Sequence, residues 1–230
     1  MGETGCGKTQ LIKKLNHILN NGETTLEKIN IHPGITDDKI CKIMEEIDKK
    51  AKNMKDKELW VFFDGMNRCL SLSLLTEIFI NRTFKGNIIS DNIRLIGACN
   101  PYRKRKGNKE KFGLSRSNDN ELVYLVQPLP QSLLYYVFSF GSIEEEDEIK
   151  YIHSMIAKLF TKEEKILHEM TKEAISESHK FLRKIYDPSI VSLREIERFL
   201  KYIEFFNSYF TIKNKIQNIW KILIFLLMKL

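Results

Sequence analysis

The chain has few cysteines and no long apolar run. The cysteines are too widely spaced for a local zinc knuckle or a redox C-x-x-C pair; they are Cys6, Cys41, Cys69 and Cys99. The most apolar stretch, residues 219–230, contains two lysines and is shorter than the roughly 20 residues that a membrane span needs. Without a secretory segment at the N-terminus, we expect reduced thiols, a cytoplasmic location and no membrane span.

Charge is abundant in the sequence but is not concentrated in one sign. There are 37 basic and 30 acidic residues, which give a formal net charge of +7. The densest basic run covers residues 103–106, with Lys109 and Lys111 just beyond it. It lacks the repeated alternation of aromatic and basic side chains that binds nucleic-acid bases. We therefore interpret it as a solvated loop and expect no nucleic-acid partner.

A glycine-rich motif of the form G-x-x-x-x-G-K-[ST] stands at the start of the chain. Its members are Gly2, Glu3, Thr4, Gly5, Cys6, Gly7, Lys8 and Thr9. In such a loop the backbone N–H groups surround the phosphates of a nucleotide, the lysine adds a positive charge and the hydroxyl binds Mg²⁺. Apolar residues recur at helical spacing from Leu11 to Leu19, so the loop is expected to enter a helix. The pattern predicts binding of ATP and Mg²⁺.

The position of this motif is unusual. A loop of this kind normally leaves a buried strand, and only Met1 precedes Gly2 here. We therefore expect a phosphate-binding core whose first strand is missing, in a chain that looks truncated.

Two regions follow from the periodicity. Residues 1–130 alternate helical and strand signals, with strands expected at residues 25–32, 59–63, 93–99 and 122–126 and helices at residues 37–53 and 72–80. Residues 131–212 show helical periodicity over 132–140, 145–160, 162–186 and 192–210. An apolar helix is expected at residues 213–230, at the start of, or in contact with, a following module. The fold class is α/β, with a parallel-sheet core followed by an all-helical subdomain.

Two polar residues end apolar strands. Asp64 follows the run at residues 59–63 and Asn100 follows the one at residues 93–99. Because ligands of open α/β sheets bind at the carboxyl ends of the strands, both are candidate site residues. Asp64 would complete the Mg²⁺ site beside Thr9. Either residue could instead be an ordinary turn residue.

Hydrolysis needs a further group that orients or deprotonates water, usually a carboxylate next to the metal-binding aspartate. The residue after Asp64 is Gly65, which has no side chain to do this. Glu77, on the following helix, is a speculative substitute. We therefore expect ATP binding with weak or absent turnover.

The motifs together resemble an AAA+ module of the mysterin-type giant RING ubiquitin ligases, which have a dynein-like AAA+ core. The resemblance is carried by residues 2–9, 30–36, 59–67, 98–103 and 123–130, and it extends through residues 140–152 and 191–198. The string Ala-Cys-Asn-Pro-Tyr-Arg at residues 98–103 is its most specific part.

The resemblance implies roles for particular residues. Asn100 would be the polar sensor near the γ-phosphate, and Arg194 would be the lid arginine that reaches the nucleotide when the helical subdomain closes. From the residues alone, Arg194 is only a surface arginine on a Ser-capped helix. Neighbouring AAA+ modules are the implied partners, and ubiquitin machinery is implied only by the resemblance.

Three departures from the family pattern limit these implications. Gly65 stands where the family has glutamate, which weakens the case for hydrolysis. Leu125 stands where an arginine is frequent, so that an arginine finger cannot be assigned there, and Arg116 is a weak alternative. The sequence has no cysteine–histidine zinc pattern, so no RING or ubiquitin-transfer site is expected.

The leading hypothesis is an ATP-binding AAA+ module of a mysterin-like ligase and motor, with hydrolysis weakened or lost. The competing enzyme hypothesis is an active ATPase with a displaced carboxylate. The alternative from another class is a truncated relic or protein-interaction module that binds little nucleotide.

Overall fold

A computed structural model of the chain describes residues 1–23, 25–54, 57–104, 122–159, 165–186 and 191–209. The chain forms two compact units, Met1–Ser142 and Ile143–Leu230. Residues 131–142, which the periodicity assigned to the helical region, therefore group with the first unit. The apolar helix expected at residues 213–230 lies outside the described residues, as do Arg116 and most of the basic run.

The first unit is a mixed α/β structure, which confirms the fold class expected from the sequence. Its elements in chain order are α1 (Lys8–Leu19), β1 (Leu26–Asn30), α2 (Asp37–Asn53), β2 (Leu59–Asp64), a short 3-10 helix (Met66–Arg68), α3 (Leu72–Thr76), a π-helical turn (Glu77–Asn81), β3 (Thr83–Phe84), β4 (Asn87–Ile88), β5 (Ile93–Ala98) and α4 (Gln131–Leu134).

Three strands form the parallel sheet, in the order β1-β2-β5. Asn30 pairs with Asp64, and Asp64 pairs with Ala98, so the three strands end at the same edge. The central strand β2 is apolar along its length and buried up to Asp64, as expected for a parallel strand covered on both faces. This register brings the residues that follow each strand together at one edge.

Helix α2 shows how the local sequence defines an element. The hydroxyl of Thr36 accepts a hydrogen bond from the Lys39 N–H at 3.4 Å and so caps the helix. Its apolar side, with Ile40, Met44 and Ile47, is buried in the same core as β2. Helix α1 differs, because most of its apolar stripe is exposed; the exposed members are Leu11, Leu15, Ile18 and Leu19.

The prediction of a strand at residues 122–126 is wrong. Leu122 makes only an isolated bridge with Lys104, and the Val126 N–H donates to the Tyr124 carbonyl at 2.9 Å. This tight turn bends the chain, so residues 122–126 do not pair as a regular β-strand. Of the helix expected at residues 132–140, the structure forms only the short α4. The Phe140 N–H donates to the Met1 carbonyl at 2.8 Å, whereas in a helix it would donate to a carbonyl four residues earlier.

The second unit contains α5 (Glu145–Ala157), α6 (Lys165–Ile185) and α7 (Leu193–Tyr209). These helices share an apolar core that includes Ile152, Ile175 and Ile203. Helix α7 begins with a capping box, in which the Ser192 N–H donates to the Glu195 carboxylate at 3.0 Å. The helical character of this region matches the sequence expectation, while its role as a lid stays a prediction.

A buried charged group joins two of these helices. Glu148 of α5 contacts the guanidinium of Arg183 and lies 3.3 Å from Nε2 of His179, both on α6. Burial alone would raise the pKa of the Glu148 carboxyl, but the contacts with His179 and Arg183 outweigh it and lower that pKa. The carboxylate therefore stabilises the unit only while it is ionised.

Acid is expected to weaken the second unit through Glu148. Because its pKa is lowered in the folded state, the stabilisation is complete above the usual carboxyl pKa of about 4.3 and is lost as pH falls through the folded pKa. We expect the free energy of unfolding to fall across this range, as measured by urea denaturation at a series of pH values. Glu148→Gln should flatten that part of the profile, and an unchanged profile would contradict the assignment.

Candidate nucleotide site

The glycine-rich loop, residues 2–9, lies at the carboxyl edge of the sheet. The Gly2 N–H donates to the carbonyl of Cys99, directly after β5, at 3.1 Å. A Cβ at Gly2 would lie 2.9 Å from the Phe140 Cβ and 3.0 Å from the Cys6 sulfur, so only glycine fits this approach. The loop is thus anchored to the strand that also leads to Asn100.

Two further glycines shape the loop. Gly5 and Gly7 have φ angles of 82° and 84°, in the left-handed region that favours glycine. Open space surrounds the place where a Cβ at Gly7 would stand. Helix α1 begins directly afterwards, and its first N–H groups have no partner within the helix. Loop and helix together present backbone donors, as a phosphate site requires.

Lys8 folds its side chain back over this loop. Its ammonium donates to the carbonyls of Gly2 and Glu3 at 2.7 and 2.8 Å and to Oδ1 of Asn100 at 3.2 Å. It also lies 3.8 Å from the sulfur of Cys6. These acceptors hold the positive charge at the centre of the loop, where phosphate oxygens could replace them.

Thr9 and Asp64 also meet. The Thr9 hydroxyl donates to Oδ2 of Asp64 at 3.4 Å, across 55 positions of sequence. The same oxygen lies 2.7 Å from the ammonium of Lys28 on β1. A hydroxyl beside a carboxylate is a donor set that suits Mg²⁺, so these two residues fit the ion that the motif implies. Lys28 was not expected at this place.

Asn67 links the sheet edge to a later part of the chain. Its side chain is 1% exposed. Its amide donates to the carbonyls of Asn100 at 2.8 Å and Gln127 at 3.3 Å, and its oxygen accepts from the Asn100 N–H at 3.2 Å. The peptide of Asn100 is therefore held on both sides, which directs its side chain toward Lys8.

Gly65, which follows Asp64, has a backbone that a glutamate would strain. Its φ is 79° and its ψ is 33°, a left-handed conformation. A Cβ there would lie 3.2 Å from the Ile31 carbonyl and 3.1 Å from Cδ of Arg68. A glutamate at this position would therefore be strained, and its Cβ would crowd the Ile31 carbonyl and the Arg68 side chain.

Glu3 makes contacts that sequence reasoning missed. Its carboxylate accepts a hydrogen bond from the Tyr124 hydroxyl and lies 3.2 Å from the Arg103 guanidinium. Burial, together with that hydrogen bond, raises the pKa of Tyr124 above its usual range, so the phenol stays protonated. The Thr4 N–H in turn donates to the phenol at 3.2 Å. Nothing local in the sequence signals these partners, because they lie 100 or more positions away.

Two other candidates belong to other elements of the chain. Arg194 is an exposed residue in the first turn of α7, in the second unit. Glu77 accepts a hydrogen bond from the Thr83 hydroxyl of β3 at 3.0 Å. The structure thus brings together residues 2–9, Asp64 and Asn100, and it ties Glu77 to the hairpin of β3 and β4.

Over the part of the chain that the structure describes, no three histidine, cysteine or acidic residues cluster in a way that could hold a metal ion. The described helices also include none with the length and apolar character needed to cross a bilayer.

A glycine-rich loop on the edge of a parallel sheet, with Lys8, Thr9, Asp64 and Asn100 in contact, defines an AAA-like module. Comparison with known proteins shows what the chain is similar to. The family described as the RNF213 AAA domain matches residues 1–103. E3 ubiquitin-protein ligase RNF213 of Homo sapiens is 32% identical over 238 residues, which cover 91% of this chain and 4% of the relative.

Two further relatives give the same result. RNF213 of Mus musculus is 30% identical over 236 residues, covering 91% of this chain and 5% of the relative. E3 ubiquitin-protein ligase rnf213-beta of Danio rerio is 29% identical over 225 residues, covering 86% of this chain and 4% of the relative. The chain is therefore similar to the RNF213 AAA domain over residues 1–103 and to RNF213 proteins over about 90% of its own length, which confirms the resemblance drawn from its motifs. It spans about 4–5% of the length of these relatives.

Proposed function

We propose that the chain is an AAA module that binds ATP and hydrolyses it weakly or not at all. One observation carries the proposal: the ammonium of Lys8 lies within 3.2 Å of Asn100 and of two loop carbonyls, in a loop whose glycines leave room for phosphates. A positive charge, backbone donors and a polar amide thus converge on one place. This combination suits a triphosphate more than any neutral ligand.

Each site residue has a role in this proposal. Lys8 contacts the phosphates, and Thr9 and Asp64 are the residues that would hold Mg²⁺ once the Lys28 ammonium is displaced from Asp64. Asn100 acts as the sensor of the γ-phosphate. Arg194 is proposed as the lid arginine on the strength of the family alone.

Weak hydrolysis follows from Gly65. The carboxylate that would activate water is absent at this position, where the left-handed backbone disfavours any side chain. Glu77 is a poor substitute, because its carboxylate is bonded to Thr83. We expect a site of this kind to bind ATP without repeated rounds of hydrolysis and product release.

The partner we propose is a neighbouring AAA module within a longer chain, because the relatives extend far beyond the matched segment. Ubiquitin transfer, which the relatives' names state, would then belong to other parts of such a chain. In this arrangement ATP would stabilise closure of the helical unit on the α/β unit and transmit it to the neighbour.

The second candidate function is an interaction module that binds little nucleotide. Exposed apolar side chains on α1, Leu11 and Ile18 among them, favour it, since such side chains suit a protein contact. The contacts around Lys8 have no role in this second candidate function.

Nucleotide titration decides between the two. We expect the purified chain to bind ATP by calorimetry in the presence of Mg²⁺, and to release phosphate no faster than a control without protein. Binding with steady phosphate release would restore the active-ATPase hypothesis. A chain that is folded by circular dichroism but binds no ATP would leave the interaction module as the better account.

A further inference from the structure

The carboxylate of Asp64 already has a cation beside it. The Lys28 ammonium lies 2.7 Å from Oδ2, the oxygen that also accepts the Thr9 hydroxyl at 3.4 Å. Both side chains of the ion pair are partly covered, at 35% exposure for Lys28 and 28% for Asp64. The pair is therefore partly exposed, on the edge strand β1 and beside the candidate site.

The sheet register accounts for this contact. Lys28 pairs with Phe62 and Asn30 pairs with Asp64, so Lys28 lies two residues before the position opposite Asp64. Two residues along a strand cover about 6.6 Å, a distance that an extended lysine side chain can span. The lysine thus reaches along β1 to the carboxyl edge. This contact needs no loop rearrangement, since both residues are in regular strands.

An ammonium at this oxygen performs part of the work of a divalent ion. It neutralises Asp64, and it places positive charge next to Thr9, where phosphate oxygens would approach. The ammonium would repel a magnesium ion that approached the same oxygen. Lysine and magnesium therefore compete for one carboxylate.

We propose that Lys28 is a built-in cation that substitutes for Mg²⁺ beside Asp64, so that the module binds ATP with little dependence on divalent ions. This inference rests on the proposed function, because it concerns the same nucleotide site. It extends that function by naming the residue that decides the metal requirement. It also agrees with Gly65, because a site that does not hydrolyse ATP has no need of a metal ion to assist the chemistry.

The test compares ATP affinity in EDTA and in Mg²⁺ by calorimetry, for the wild-type chain, Lys28→Met and Lys28→Arg. Methionine keeps most of the apolar stem and removes the charge, while arginine keeps the charge. Lys50→Met is the matched control, because Lys50 pairs at 2.8 Å with Glu27, the neighbour of Lys28 on β1, in an exposed ion pair. Circular dichroism checks that each variant folds.

For the wild-type chain and Lys50→Met, we expect the dissociation constant to change by less than about threefold between the two conditions. Lys28→Met should bind about tenfold more weakly in EDTA, since the bare Asp64 carboxylate then faces the phosphates, and Mg²⁺ should restore its affinity. Lys28→Arg should behave as the wild type.

The outcomes separate the two proposals. Wild-type binding that falls about tenfold or more in EDTA overturns the inference alone, as does a Lys28→Met variant that binds in EDTA as well as the wild type. A folded wild-type chain that binds no ATP in either condition contradicts the proposed function and the inference together. If Lys28→Met does not fold, comparing the wild-type dissociation constants in EDTA and in Mg²⁺ still decides whether the inference holds.

Discussion

Lys8→Ala is expected to abolish measurable ATP binding, with an affinity loss of about a hundredfold, or roughly 3 kcal/mol. The ammonium is held by three oxygen acceptors in the structure, and each would be exchanged for phosphate oxygens in the complex. Charge-assisted hydrogen bonds of this kind contribute about 1.5–3 kcal/mol each. Removing the ammonium therefore removes most of the phosphate-specific attraction.

The measurement is a calorimetric titration with ATP. Lys13→Ala is the control, because Lys13 is an exposed lysine on the same helix and its loss changes the net charge by the same amount. It should change affinity by less than about threefold, through long-range attraction only. If Lys8→Ala bound ATP as tightly as the wild type, the nucleotide would have to bind somewhere other than residues 2–9.

Part of this site follows from simple sequence rules. Apolar runs at residues 59–63 and 93–99 predicted strands, and the rule that parallel strands end at a common edge placed Asp64 and Asn100 together. The structure gives these strands as β2 and β5, paired in register so that Asp64 lies opposite Ala98. These predictions succeed because burial on both faces leaves a strong local signal. The roles of the two residues stay predictions.

Other parts of the site could not be predicted, for physical reasons. Lys28 reads as an ordinary surface lysine, and only the sheet register shows that it reaches Asp64. The contact of Glu3 with Tyr124 depends on a chain path across 121 positions. The hairpin of β3 and β4 was missed because two-residue strands carry no periodicity.

Gly65 shows a different kind of limit. The sequence indicated that a carboxylate is missing, but it could not show the backbone conformation at this position. With φ at 79° and the Ile31 carbonyl 3.2 Å from the position of a Cβ, the chain turns sharply directly after β2. A glutamate introduced here would therefore be strained.

Asn67→Ala is expected to destabilise the first unit by about 2–3 kcal/mol and to weaken ATP binding as well. The substitution leaves the partly buried N–H of Asn100 and the carbonyls of Asn100 and Gln127 without their Asn67 partner. A buried polar group that loses its hydrogen bond costs about 1–3 kcal/mol. The Asn100 side chain, which lies 3.2 Å from Lys8, would then lose its fixed direction.

Two comparison variants separate stability from binding. Asn92→Ala removes an amide that donates to the carbonyls of Ala51 and Met54 at 2.8 and 3.1 Å, at the opposite end of β5 from the loop. We expect it to lower the urea midpoint while leaving ATP affinity within about threefold of wild type. Asn67→Asp keeps the acceptor for the Asn100 N–H, so it should retain more ATP affinity than Asn67→Ala. If Asn67→Ala and Asn92→Ala affected binding equally, Asn67 would act only through general stability and would not position Asn100.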